Sequence, residues 1–344
     1  MARITINDIA REAGVSKTAV SFAFNDPGQL SATTVEHIRA VAEQFGYSPD
    51  PIARSMTTRR TNALGLLLPQ DIAKAMSNPF YTQLMCGIGE ICNSAGMTLM
   101  IVPPLRGSRL KAIPLATVDG FIVVGLEIDR GEVVLLRRRQ IPFVIVDSVA
   151  PDDIPSVNVD DRSGARMAMR HVLEQGHRAI GVVCIESGKA ERSEYTGTLA
   201  ERLFGYCAAL DEFGISPDNP AVRFVEASSS REGGRDAFAA LWKAADHPTA
   251  IVAMSDILAF GIIDAAREHG LRVPEDLSVV GFDDLPDAHL MRPPLTTVRQ
   301  SVEDKGRLAA EMLVAALTAT VPVQHHVLPT QLVVRGSVVA VRGA

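Results

Sequence analysis

At 344 residues, 47% hydrophobic and 22% charged, the chain is long enough for more than one domain and too apolar for a disordered or fibrous polymer. Its formal net charge is -6, but seven Lys/Arg against six Asp/Glu give residues 1–60 a net charge of +1, leaving about -7 for the rest. That balance excludes strong non-specific binding of nucleic acid without excluding a specific contact made by one small basic segment.

In chain order, Thr5-Ile6-Asn7-Asp8 reads as a capping box that starts a helix with Ile6, Ile9, Ala10 and Ala13 on one face. Gly14 supplies the left-handed residue that ends it, and Ser16 caps a second helix whose inner stripe is Ala19, Val20 and Ala23. Two short helices joined by a tight glycine turn predict a helix-turn-helix, with the second helix as the DNA reader. A third amphipathic helix is expected from Ser31 to Phe45, with Val35, Ile38, Val41 and Ala42 inward and Gly46 as its stop. Asp50 as cap and Pro51 at the first helical position predict one more short helix, Pro51–Thr57, too short to be stable alone. The polar run 58–62 is a linker, in which Arg59 and Arg60 either touch phosphates or are simply solvated.

These pieces resemble the LacI family of bacterial transcription regulators. The resemblance is carried by Thr5-Ile6-Asn7-Asp8-Ile9-Ala10, Ala13-Gly14-Val15-Ser16, Val20-Ser21, Asn25, Gly46-Tyr47, Pro49 and Ile52-Ala53-Arg54-Ser55, in order and at the right spacing. It continues through Asn78-Pro79-Phe80-Tyr81, Val118-Asp119-Gly120-Phe121-Ile122, Val159-Asp160-Asp161, Arg202-Leu203-Phe204-Gly205-Tyr206, Ser255-Asp256, the run Val273 to Asp284, and Leu332 to Ser337.

From Ala63 onward, strand-like runs alternate with helical patterns. The strands are expected at Ala63–Leu68, Thr98–Val102, Gly120–Val124, Phe143–Val146, Ser156–Val159, Ala179–Val183, Arg223–Val225, Ala250–Ala253 and Ser278–Phe282. The helices between them are expected at Tyr81–Ala95, Gly131–Gln140, Arg162–Gln175, Leu199–Phe213, Arg231–Ala245, Ile257–Glu268 and Val302–Ala319. Alternation of this kind predicts a doubly wound α/β core of parallel sheets, with a ligand at the carboxyl ends of the strands. The expected organisation is a helix-turn-helix domain with hinge helix over 1–57, a linker at 58–62, and a core over 63–344. The resemblance gives that core two periplasmic-binding-protein-like lobes. Three departures from the family stand out: a short stretch at Pro103–Ala116, Ser255 in place of an asparagine, and Ser228-Ser229-Ser230 where several members carry an aromatic ring.

Lys17, Thr18, Ser21 and Phe22 fall on the second helix away from its buried stripe, which makes them candidate DNA contacts. Family members usually have arginine at the position of Phe22; the ring either faces the groove or turns inward beside Phe24, and helical spacing favours the groove. The resemblance adds Thr5, Ser16, Asn25, Tyr47, Ala53 and Met56, the last in the place of a leucine that wedges into the minor groove. For the effector it implies Arg202 and Asp283, with Phe80 or Tyr81 on the opposite wall and Asp160 and Ser255 as further contacts. A guanidinium fork facing a carboxylate suits a polar, sugar-like ligand. The bland readings are a structural ion pair for Arg202 and a cap for Asp283.

Catalysis finds no support, since GxSxG, P-loop and HExxH patterns are all missing from the sequence. His325-His326 are strand neighbours pointing to opposite faces, and His171 and His177 are read as satisfying local backbone groups. No metal or other cofactor is expected. Four cysteines, Cys86, Cys92, Cys184 and Cys207, form no CxxC pair and are expected to be buried thiols. Runs such as Ala63–Leu68 are far too short to span a membrane, and the N-terminus lacks an apolar signal segment, so a cytoplasmic chain is expected. Trp242 is read as packing. The function these features imply is a homodimeric regulator, by family default a repressor, that binds a palindromic double-stranded operator under control of a small-molecule effector. The effector is a sugar or similar polar metabolite, with a purine-like corepressor as the alternative.

Overall fold

The computed structural model describes residues 4–48, 60–125, 131–243 and 246–341. The expected hinge helix Pro51–Thr57, with Ala53 and Met56, lies outside them. The chain divides into two units, Met1–Asn62 and Ala63–Ala344.

The first unit is helical: α1 (Ile6–Glu12), α2 (Lys17–Asn25) and α3 (Ala32–Gln44). Its turns are set by capping chemistry. The Thr5 backbone N–H and hydroxyl both donate to Asp8 Oδ2, at 3.0 and 2.7 Å, which begins α1. Gly14 takes φ 66°, and the Ser16 hydroxyl accepts from the Ala19 N–H at 3.1 Å to begin α2. Ile9, Val20, Ala23, Ile38 and Ala42 form the buried centre, while Val41 and Ala19 are only half-buried at its rim. Phe24 closes one side by meeting the Tyr47 ring edge-on, centroids 6.0 Å apart.

The second unit holds two six-stranded sheets. The first uses β1 (Ala63–Leu67), β2 (Thr98–Val102), β3 (Gly120–Val124), β4 (Phe143–Val146), β5 (Ser156–Val159) and β11 (His325–Leu328), in the order β11-β5-β4-β3-β1-β2. The second uses β6 (Ile180–Ile185), β7 (Val222–Ala227), β8 (Ala250–Ala253), β9 (Ser278–Asp283), β10 (Thr296–Gln300) and β12 (Thr330–Val333), in the order β12-β10-β9-β8-β6-β7. Around them pack α4 (Ile72–Met76), α5 (Pro79–Ser94), α6 (Arg109–Ala112), α7 (Gly131–Arg138), α8 (Asp161–Glu174), α9 (Gly197–Glu212), α10 (Arg231–Trp242), α11 (Asp256–Glu268) and α12 (Val302–Thr318). Strands β1, β3, β4, β6, β8 and β9 are almost fully buried, which is why they read as unbroken apolar runs.

The chain crosses between lobes three times, at β5 to α8, β10 to α12, and β11 to β12. The first and third crossings are tied together. The Asp160 N–H donates to the Leu328 carbonyl and the Thr330 hydroxyl donates to the Asp160 carbonyl, both at 2.9 Å. At the second crossing α12 lies against α5 through Gly87 and Gly306. A Cβ on Gly87 would sit 1.9 Å from the Glu303 carbonyl oxygen, so a larger residue cannot keep this approach.

The structure amends the sequence reading in several places. The second sheet is mixed, because β12 pairs antiparallel with β10 at its edge. Neither β10 (Thr-Thr-Val-Arg-Gln) nor β12 (Thr-Gln-Leu-Val) was expected as a strand, since each is short and carries few apolar residues. The Pro103–Ala116 stretch folds as the short α6 followed by a 3-10 turn. Cys92 and Cys184 are buried, but Cys207 is half-buried and Cys86 is exposed. The buried stripe of α5 runs through Tyr81, Leu84, Ile88 and Cys92, and position 86 lies off it. Trp242 packs as expected, stacked on Phe238 and His247.

Candidate functional site

Two surfaces carry the candidate residues. On α2 of the first unit, Lys17 and Thr18 are exposed on the first turn, Phe22 is exposed one turn later, and Ser21 is half-buried between them. No acidic residue occurs anywhere in α2. Thr5 and Ser16 serve as the helix caps described above. Two other candidates, Asn25 and Tyr47, are half-buried. Asn25 donates its amide to the Ser21 hydroxyl at 3.2 Å and leaves its carbonyl oxygen buried, while Tyr47 belongs to the small core with Phe24. Asn25 closes α2 and Tyr47 follows α3, so each also helps to hold the reading helix in place.

The second surface is a cleft of about 310 Å³ between the two lobes of the core. Phe80, Tyr81, Arg202, Ser255 and Asp283 all line it. They come from four distant stretches, brought together because the loops after β1, β6, β8 and β9 all open at the carboxyl ends of the strands. Asp160 does not join them. Its carboxylate accepts the Ser163 N–H at 3.0 Å and caps α8, which makes it a hinge residue.

The cleft floor is a chain of buried charges. Arg202, 4% exposed, donates to Asp161 at 2.8 Å, to the Met254 carbonyl, and lies 3.9 Å from Asp283 and face-on over the Phe282 ring. Asp283 accepts from Gln300 Nε2 at 2.5 Å. Gln300 in turn accepts, across the lobe boundary, from Lys305 Nζ at 2.6 Å, and Lys305 pairs with Asp147 of its own lobe at 2.5 Å. Lys305 has no solvent exposure at all. Burial pushes the Asp283 carboxyl up to about 6, against the opposing pull of Arg202. Burial, reinforced by Asp283, also raises Asp256, which holds the Leu285 N–H and the Thr297 hydroxyl.

Two acids of the cleft stand on left-handed backbone, Asp147 at φ 57° and Asp283 at φ 129°. Non-glycine residues adopt such angles at an energetic cost, so their occurrence in both lobes along this chain of charges marks a site that the fold strains to aim. Ser255 is 3% exposed and its hydroxyl has no hydrogen-bond partner, although it lines the cleft. A buried orphan hydroxyl of this kind costs about 1–3 kcal/mol unless something fills it.

Sequence reasoning missed Asn78, Arg109, Asp147, Gln300 and Lys305. Arg109 is buried, paired with Glu132 at 3.4 Å, and donates to the Val124 carbonyl at 3.2 Å beside the cleft. A signal for Lys305 did exist. It interrupts the stripe Val302, Gly306, Ala309, Ala310, Leu313 that α12 buries, and a lysine on an inner face asks for an acidic partner. Asn78 caps α5 by accepting the Phe80 N–H at 3.0 Å, which fixes the aromatic wall. The histidines have structural tasks: His177 contacts Thr249 Oγ1 at 2.8 Å and the Val339 carbonyl at 3.0 Å, and His325 contacts Ser156 at 3.0 Å.

Comparison with known proteins follows the same division. Residues 5–50 match bacterial regulatory proteins, lacI family, and residues 169–338 match a periplasmic binding protein-like domain. An HTH-type transcriptional regulator of Mycobacterium tuberculosis is 34% identical over 349 residues, covering 96% of each chain. The HTH-type transcriptional repressor PurR of Photobacterium profundum is 32% identical over 317 residues, covering 90% of each. The solved complex of the transcriptional regulator CelR with cellobiose superposes with a TM-score of 0.71 at 29% identity, covering 97% of this chain and 100% of that one.

Proposed function

Because the chain belongs to the lacI family of bacterial regulatory proteins and is a DNA-binding transcriptional regulator of that family, we propose that α2 reads a palindromic operator as part of a homodimer. A neutral, polyhydroxylated molecule in the cleft then sets the affinity. The segment 51–57 is taken as the hinge that transmits the change. Repression is the expected output, the location is the cytoplasm, and no reaction is catalysed.

The observation that carries the effector reading is the charge arrangement of the cleft. Among the described residues of the cleft, Arg202 is matched by Asp161 and Asp283, Arg109 by Glu132, and Lys305 by Asp147, so none of these cations is left over for a phosphate or carboxylate ligand. What remains is a set of acceptors and hydroxyls, Asp147, Ser148, Ser229, Ser255 and Asp283, facing the Phe80–Tyr81 wall. A sugar supplies hydroxyls to the former and an apolar ring face to the latter. Cellobiose in the CelR complex is a ligand of that chemistry. Calorimetric titration with cellobiose, ribose, a sugar phosphate and adenine separates the readings. Tight binding of the phosphate or of adenine with no response to either sugar overturns the neutral-polyol assignment. For the operator, selection from a random DNA pool should enrich one inverted repeat. Equal affinity for all duplexes would sink the reading of the head.

A further inference from the structure

The reading helix presents an aromatic ring where a polar side chain would cost less. Phe22 is 36% exposed, and it is not part of the cluster that forms the first unit's core. That core has no need of it. Phe24 and Tyr47 close its side, and Ile9, Val20, Ala23 and Ile38 fill its centre. The Phe22 ring is thus left outside that cluster, with about a third of its surface open to solvent. The ring stands one turn beyond Thr18 and on the same face, while Lys17 lies about 140° further round the exposed side of the helix. Lys17 attracts phosphate, no carboxylate on α2 repels it, and the second helix of a helix-turn-helix lies in the major groove.

Resting on the operator-binding role given above, we propose that Phe22 is a specificity-determining residue that reads a thymine by packing its ring on the C5-methyl group. Phenylalanine neither donates nor accepts a hydrogen bond, so it cannot use the donor and acceptor code of the groove. The thymine methyl is the one apolar feature on any base edge there, and an aromatic ring recognises it by burial. A methyl's worth of apolar surface corresponds to about four-fold in affinity per half-site. The neighbouring polar side chains, Lys17 and Thr18, are left to phosphate and to the adjoining base edges.

The test begins with the full-length protein and a random DNA pool. The enriched repeat is then remade with each symmetric pair of thymines replaced by deoxyuridine, which removes the methyl group and nothing else. Wild type should lose about four-fold per half-site at one symmetric pair, and Phe22→Ala should bind the thymine and deoxyuridine versions equally. Sensitivity that persists in Phe22→Ala, or a wild type indifferent to every deoxyuridine pair, overturns the proposal while leaving operator binding in place. Failure to enrich any repeat would instead reject the operator role itself. Phe22→Arg, carried through the same selection, should exchange the thymine for guanine at that pair; an unchanged consensus counts against the contact.

Discussion

The side chains on the outer face of α2 and those of the cleft do their work under opposite constraints. Among the described residues no side chain pairs with Lys17 or Thr18, and the ring of Phe22 stands outside the core. Such positions are free to change with the operator, because the fold does not depend on them. In the cleft, Arg202, Asp161, Asp283, Gln300, Lys305 and Asp147 hold one another in an almost solvent-free run from one lobe to the other. There each charged residue that could touch a ligand also neutralises a neighbour. Recognition is thus separable from stability in the head and bound to it in the core.

The strongest way to break that comparison is Arg202→Met. Removing one member of a buried charge cluster strands the others, and Asp161 and Asp283 would face burial without their cation. A loss of about 3–5 kcal/mol in the denaturant stability of the core is expected. Phe22→Ala should stay within about 0.5 kcal/mol of wild type. An Arg202→Met protein that unfolds with wild type would mean that the cleft charges are solvated in practice, and the contrast with the head would disappear.

A smaller effect, with a sign that tells burial from pairing, belongs to Asp283. Its carboxyl is raised to about 6 in the fold, chiefly by burial, against an unfolded value near 3.9. Between about pH 4 and 6 the folded protein therefore retains a proton that the unfolded chain has lost, and stability falls as pH rises through that window. The reverse holds for an exposed, salt-bridged acid. The gap between the folded and unfolded values corresponds to about 3 kcal/mol at most. Asp283→Asn should flatten this part of the pH–stability curve, unfolding at higher denaturant than wild type at pH 7.5 and together with it at pH 4. Asp256, raised by its own burial, leaves a residual slope in both proteins. Stability that instead increases from pH 4 to 6 and is lost in Asp283→Asn would show that Arg202 outweighs burial.

How far each surface was legible follows from the same contrast. The head was readable because its information is local: Thr5, Gly14, Ser16 and Ser31 mark helix ends by short-range chemistry, and Val20 and Ala23 fix by period alone which face Phe22 takes. The structural partners of Asn25 and Tyr47 were not foreseen: Ser21 lies one turn back on the same helix, and Phe24 meets Tyr47 only once α2 and α3 pack together. In the core, buried parallel strands announce themselves as apolar runs. Strand β10 and the antiparallel edge strand β12 do not, because polar residues such as Thr296, Thr297, Arg299 and Gln331 break their apolar character. The cleft was legible only in part, since a motif can mark Arg202 and Asp283 without saying that Asp161, Gln300 and Lys305 complete them from 17 to 41 positions away or through the helix of another lobe. Asp160 shows the converse: its place in a motif reflects capping and a hinge strap, and its carboxylate points to Ser163.

The smallest expected effect sharpens the comparison from the side of the head. Lys17 is exposed at the start of α2 and carries that helix's only charge. Lys17→Ala should leave unfolding within about 0.5 kcal/mol of wild type, because alanine is the better helix former and no partner is orphaned. Its consequence should appear only in the salt dependence of operator binding. Each phosphate contact releases about one counterion, so the slope of log affinity against log salt should drop by about one per protomer, with the selected sequence unchanged. An unchanged slope with an altered base preference at one position would assign Lys17 to a base edge instead. Both results keep recognition apart from stability. A loss of about 1 kcal/mol or more in the unfolding free energy would not, since it would show that the outer face of α2 also holds the fold together.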